Sequence, residues 1–182
     1  SNGLLITDDG YFLTAAHCVL HLEYFSDVKI RLYDGTECEF EKTCVKGKIA
    51  DIALAKAKVS NQRKVRYYRF YDDEYGTQSF PIALVTRRNG ELIKKYGFTK
   101  SFSYLKGTSF LSSIDVQPGD SGGIITAPDF SIMGIISGSI LGKIGNAGEF
   151  QTYQGSHPVV GISAAKFFDI ISFYKQRLKS RL

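Results

Sequence analysis

No stretch of this chain approaches the roughly 18 consecutive apolar residues that a membrane-crossing helix needs, and no charged-then-apolar leader opens it. The sequence thus predicts a soluble protein without a membrane span, leaves secretion or export open, and gives no oligomeric state. Cysteine is scarce: Cys18, Cys38 and Cys44 are too few to staple a small secreted scaffold, and an odd count leaves at least one thiol unpaired. Cys38 and Cys44 could pair across a hairpin, or all three could be free. His17, His21 and His157 lie far apart and no cysteine pair has ligand spacing, so neither a metal site nor a cofactor is expected. Basic residues exceed acidic ones, 23 against 18, for a net charge of +5 and a pI near 9.0. They are scattered among aromatic and acidic residues, and no basic run carries a reading motif, which argues against nucleic acid as a partner.

What is present favours β structure. A length of 182 residues with 43% hydrophobic content fits one domain, or two small halves sharing an interface. The 18 Gly, 11 Tyr and 13 Phe, with Leu, Ile and Val in short runs rather than helical stripes, point to strands and tight turns. Leu4-Leu5-Ile6 and Tyr11-Phe12-Leu13-Thr14 flank Thr7-Asp8-Asp9-Gly10, the pattern of a β-hairpin. Val28-Lys29-Ile30-Arg31-Leu32 alternates with period two before an Asp34-Gly35 turn. A further turn falls near Lys46-Gly47-Lys48, and residues 49–57 alternate again. Residues 60–80, rich in Arg, Tyr, Asp and Glu, read as an exposed connection between two halves. Strand-like runs return at Ile82-Ala83-Leu84-Val85, over 92–96, at Ile124-Ile125 and over 133–136, with Asn89-Gly90 as a hairpin turn. Residues 141–156, rich in glycine, read as a flexible loop. Only the end has a helical pattern: Phe167, Ile170, Ile171, Tyr174 and Leu178 share one face, and Lys175, Arg177, Lys179 and Arg181 suit a helix C-terminus. The predicted organisation is one domain over 1–182, with halves over 1–65 and 80–166 and a helix over 167–180. Short strands at this regular spacing predict an all-β sandwich or barrel.

The chemistry concentrates in three strings. A serine hydroxyl is a poor nucleophile near neutral pH, and acyl transfer needs an imidazole to take its proton and an acid to fix the imidazole's tautomer. In Pro118-Gly119-Asp120-Ser121-Gly122-Gly123 the glycines allow a tight turn, so the N–H groups of Gly119 and Ser121 can converge on one developing oxyanion. Thr14-Ala15-Ala16-His17-Cys18 supplies a histidine after the first hairpin, and Asp51-Ile52-Ala53-Leu54 supplies an acid at the start of a strand. None of the cysteines sits in such a glycine turn, which excludes them as nucleophiles.

These three strings resemble the histidine, aspartate and serine motifs of the trypsin/chymotrypsin-fold serine proteases, and they come in that family's order. The resemblance covers nearly the whole chain and looks nearest to the compact, disulfide-poor bacterial, viral and HtrA-type members. It implies two antiparallel six-stranded β-barrels with a C-terminal helix, and a serine endopeptidase acting on protein or peptide substrates. By motif, Ser121 would attack the scissile carbonyl, His17 would act as base and then acid, and Asp51 would orient His17. Gly119 and Ser121 would form the oxyanion hole. The run containing Ser137, Gly138 and Ser139 resembles the strand that binds substrate backbone, with Ser137 near Asp51. Asp115 occupies the position of a specificity-pocket floor, where a buried carboxylate would select Lys or Arg; the alternative is an ordinary turn carboxylate. His157 is a loop histidine by default, although glutamate-specific relatives place a histidine in the pocket.

The chain departs from the family pattern in three ways. The family's first strand is missing ahead of the hairpin. Asn2 stands roughly where the usual disulfide partner of Cys18 would lie. Asp120, which in activated trypsin-like enzymes is held by a new N-terminal amine, has no such amine in prospect, so the sequence leaves its partner open and zymogen-like inactivity in play. The competing function is a catalytically silent peptide-binding module on the same fold.

Overall fold

The computed structural model describes residues 1–46, 51–60, 68–71, 79, 81–104, 109–139, 142–144, 150–152, 159–163 and 168–180. Two antiparallel sheets follow one another along the chain. The first opens with β1 (Leu4–Leu5) and β2 (Tyr11–Thr14), closed by the turn ending at Gly10. It continues through β3 (Lys29–Arg31), β4 (Glu37–Lys46) and β5 (Ala53–Lys58) in the spatial order β1-β2-β5-β4-β3. Its two central strands are buried on both faces. Phe12, Ala53, Ala55 and Ala57 point to one cluster with Val19, Leu32 and Cys38, whereas Tyr11, Leu13, Ile52 and Leu54 point to another. The small alanines let β5 sit close beneath the covering loops, while the branched residues on its other face fill the space towards the second sheet.

That second sheet is a closed barrel, in the order β10-β13-β8-β7-β6-β9. Its strands are β6 (Pro81–Arg88), β7 (Glu91–Tyr104), β8 (Ser109–Ser112), β9 (Ile124–Thr126), β10 (Ile132–Ser139) and β13 (Val159–Ser163). Asn89 and Gly90 join β6 to β7 with φ of 50° and 87°, the twist-matched hairpin turn that the Asn-Gly pair favours. Ile82, Leu84, Phe110, Ile114, Ile125, Met133 and Ile136 fill the barrel. The helix α1 (Phe168–Lys179) closes the described chain and drives Tyr174 into the cluster between the two sheets, against Ile6, Leu13, Ile52, Leu54, Ile132 and Ile135.

Three local expectations change. Cys38 and Cys44 share strand β4, about 20 Å apart in extended chain, well beyond the roughly 7 Å that a disulfide spans; all three cysteines are free. Residues 68–71, read as exposed connection, instead lie along the second half: Phe70 bridges to Ile132, and the Tyr68 N–H donates to the Tyr174 hydroxyl at 3.0 Å. Part of the predicted 141–156 loop is paired, β11 (Gly142–Ile144) with β12 (Phe150–Thr152). Backbone pairing needs no apolar periodicity, which is why composition misread it. The predicted turn near residue 47 lies outside the described residues.

Candidate active site

β2 and β5 pair with Thr14 opposite Ala53, so the residues just after β2 and just before β5 meet at one end of the first sheet. A short 3-10 helix over Ala16–Cys18 places His17 there, opposite Asp51. The His17 N–H donates to Asp51 Oδ1 at 2.8 Å, and His17 Nδ1 lies 2.6 Å from Asp51 Oδ2. A third contact crosses from the barrel: the Ser137 hydroxyl on β10 donates to Asp51 Oδ2 at 2.6 Å. Facing a carboxylate that only accepts, Nδ1 is assigned the proton, which makes Nε2 the lone-pair nitrogen. At Nε2 the neighbour is Cys18 Sγ, 3.5 Å away.

The serine string forms the turn that enters β9. Gly119 and Gly122 have φ of +100° and +81°, left-handed values that favour glycine. At Gly122 space demands it as well, since a Cβ would fall 1.9 Å from the Asn2 carbonyl oxygen. The Asp120 N–H donates to the Gln117 carbonyl at 3.0 Å, and the Gly123 N–H to the Asp120 carbonyl at 2.8 Å. Among the described residues, the N–H groups of Gly119 and Ser121 have no partner. The Ser121 hydroxyl donates to the Ser137 carbonyl at 3.4 Å rather than to His17. Ser137 therefore touches both groups, Asp51 with its hydroxyl and Ser121 with its carbonyl.

Asp120 is fully buried and faces Arg88, the last residue of β6. Arg88 Nε donates to Oδ1 at 2.9 Å and Nη2 to Oδ2 at 2.8 Å, a two-pronged pair. The Gln117 N–H adds a bond to Oδ2 at 2.9 Å, and the Thr86 hydroxyl lies 3.5 Å from Oδ1. Burial pushes the carboxyl up, but the Arg88 and Gln117 hydrogen bonds and the charges of Arg88 and Lys95 outweigh it, holding Asp120 below the usual carboxylate range.

No family model matches the chain, and no curated protein matches it in sequence. Solved structures do. Kallikrein-related peptidase 10 aligns with a TM-score of 0.66 at 20% identity, covering 96% of this chain and 89% of its own. The serine endoprotease from Yersinia pestis aligns with a TM-score of 0.66 at 15% identity, covering 94% of this chain and 56% of that one. This is a chymotrypsin-like fold. Its halves differ here: the second is the closed six-stranded barrel, and the first is a five-stranded sheet among the described residues.

Within the chymotrypsin-like frame the remaining site expectations fall out unevenly. β9 pairs with β10 only as far as Ile135 opposite Ile124, after which the Gly122 N–H donates to the Ile136 carbonyl at 2.8 Å. Past that point the backbone of Gly138 and Ser139 pairs with β13 on one side, with Ser137 at the bulge between Ile136 and Gly138. On its other side, among the described residues, only the Ser121 hydroxyl meets it. Asp115 is exposed, and its carbonyl accepts from Lys95 Nζ at 2.7 Å. This differs from the buried, unpartnered carboxylate that selection of Lys or Arg would require. His157 lies outside the described residues. Sequence reasoning missed Arg88, although Leu84, Thr86 and Arg88 alternate along β6 towards one face, the face that meets Asp120. It also missed the hold of Asn2 on the serine turn, where the Asn2 side-chain amide donates to the Gly119 carbonyl and its N–H to the Ser121 carbonyl, both at 2.7 Å. Among the described residues no group of three or more His, Cys, Asp or Glu could hold a metal.

Proposed function

We propose that the chain is a serine endopeptidase that hydrolyses protein or peptide substrates through an acyl-enzyme. In this reading Ser121 attacks the scissile carbonyl, His17 takes the serine proton at Nε2 and returns it to the leaving amine, and Asp51 holds the imidazole in the tautomer that makes this possible. The N–H groups of Gly119 and Ser121 receive the oxyanion, and the edge at Ser137, Gly138 and Ser139, met among the described residues by the Ser121 hydroxyl alone, binds substrate backbone by strand addition. The observation that carries it is the single carboxylate of Asp51, bonded to the main chain and ring of His17 and to the Ser137 hydroxyl, with the Ser137 carbonyl beside Ser121.

One observation favours a second reading, a silent peptide binder: Ser121 bonds to Ser137 rather than to His17. Such bonds commonly tighten only with substrate in place, and a change of serine rotamer is all that separates the two arrangements. The test is cleavage of an unbiased peptide library by the protein beside Ser121→Ala, with cut sites mapped by mass spectrometry. Cuts that vanish in the variant are expected. Cuts that persist would overturn Ser121 as nucleophile, and peptide binding without any cuts would establish the silent module.

A further inference from the structure

His17 and Asp51 stand at the end of the first sheet, whereas Ser121 stands on the turn that enters β9 of the barrel. Resting on the reading of Ser121 as nucleophile and His17 as base, we propose that Asn2 is the positioning residue that sets the distance between them, tying the histidine strand β2 to the serine turn through its main chain and its side-chain amide.

Asn2 reaches in both directions. Towards the first sheet, its carbonyl accepts the hydroxyl of Thr14 at 2.6 Å, and Thr14 is the buried last residue of β2, just ahead of His17. Towards the second half, its N–H donates to the Ser121 carbonyl and its Nδ2 to the Gly119 carbonyl, both at 2.7 Å, while its Oδ1 accepts the Arg87 N–H at 2.8 Å. Arg87 is itself a fixed post: it pairs with Leu92 across the β6/β7 hairpin, and its guanidinium donates to the Gly90 carbonyl at 2.6 Å and to the Tyr33 carbonyl of the first half at 3.0 Å. The contact leaves no slack, since a Cβ on Gly122 would fall 1.9 Å from the Asn2 carbonyl oxygen and 2.6 Å from the Thr14 hydroxyl oxygen. The partners also fix which way the amide points. A carbonyl must meet the NH₂ and an N–H must meet the oxygen, and a flipped amide would oppose like with like at both ends. Aspartate has the same length but no donor, so it would set a carboxylate oxygen against the Gly119 carbonyl. Asn2 touches neither substrate nor the reacting atoms; it acts by fixing where Ser121 stands. A misplacement of about 1 Å in such a constellation costs on the order of a hundredfold in rate.

The experiment compares the intact protein with Asn2→Asp and Asn2→Ala. It reads kcat per serine labelled to completion by a fluorophosphonate, KM, melting temperature, and amide hydrogen exchange. Exchange is followed at Asp120, Gly122 and Gly123, whose N–H groups are bonded within and beside the turn, and at Leu84 and Ile125, which pair inside the barrel. Asn2→Asp is expected to lose about ten- to a hundredfold in kcat per labelled site, with KM within about threefold. Exchange in its turn should quicken by at least about tenfold while Leu84 and Ile125 keep their rates, the mark of a local opening. Asn2→Ala removes both side-chain bonds without adding a repelling oxygen, and its kcat should fall between the other two. A merely structural asparagine would lower the melting temperature and the number of labelled sites, speed turn and barrel exchange alike, and leave kcat per site unchanged; that result would overturn the proposal. Should Asn2→Asp fail to fold, an Asn2→Ala variant with the intact protein's kcat would overturn it equally. If the intact protein cleaves nothing, the peptidase reading fails by itself. The strut then stands or falls on exchange, and turn amides that keep the intact protein's rates in Asn2→Asp would overturn it.

Discussion

Replacing Asp51 by Asn tests the site more sharply than deleting any group in it, because the shape stays and only the direction of one hydrogen bond changes. Oδ1 accepts the His17 N–H, and Oδ2 accepts both Nδ1–H and the Ser137 hydroxyl. An asparagine offers one acceptor oxygen. If that oxygen keeps the His17 N–H, the amide NH₂ faces Nδ1, the proton moves to Nε2, and the ring can no longer take a proton from Ser121. If the amide flips, its NH₂ meets the backbone donor of His17 head-on, leaving a donor without an acceptor at a cost of about 1–3 kcal/mol. The unproductive tautomer is therefore favoured, and the expected loss in kcat is on the order of ten-thousandfold, or about 5.4 kcal/mol at about 1.36 kcal/mol per tenfold. Rates would be measured per labelled serine, beside thermal melts and the ¹⁵N shifts of the His17 ring. A loss smaller than about tenfold in a folded variant, or a ring that keeps its proton on Nδ1, would refute the reasoning.

Gly122→Ala places a methyl 1.9 Å from the Asn2 carbonyl in a backbone at φ +81°. The backbone term alone is worth about 1–2 kcal/mol, so the melting temperature should fall by at least about 2–8 °C, with activity falling as the turn shifts. Asp115→Asn should leave the pattern of cut sites unchanged, since the carboxylate is exposed; a lost preference for Lys or Arg would restore it as the pocket floor. All three cysteines should titrate as free thiols in denaturant without reductant. In the folded protein Cys44 should alkylate more slowly near pH 8 than a small thiol, because burial raises its pKa and depletes the thiolate.

What the sequence disclosed was whatever its residues decide locally. The Gly10 and Asn89-Gly90 turns, the period-two run of β3 and the C-terminal helix depend on near neighbours alone, and each appears where its pattern placed it. The strings that carry His17, Asp51 and Ser121 are short and ordered, and the β2/β5 register brings His17 and Asp51 together. The partner of Asp120 was not legible. Arg88 and Asp120 are 32 residues apart; alternation along β6 puts Arg88 on the face of Leu84 and Thr86, but nothing in it names the acid that it meets. Asp115 has the family's offset from Ser121, but its side chain is exposed, and an offset along the chain does not specify burial. Residues 68–71 were misread because a polar composition conceals backbone pairing with β10.

The core between the two sheets sets a timetable for the ribosome. Ile6, Leu13, Ile52 and Leu54 are synthesised first, Ile132 and Ile135 much later, and Tyr174 later still. At about 5–20 residues per second, the first sheet waits on the order of ten seconds before the residues that cover that apolar face are made. His17 and Asp51 wait with it, lacking Ser137 and the serine turn. A chain that lacks the second barrel therefore lacks Ser137 and the serine turn that complete the cluster around Asp51.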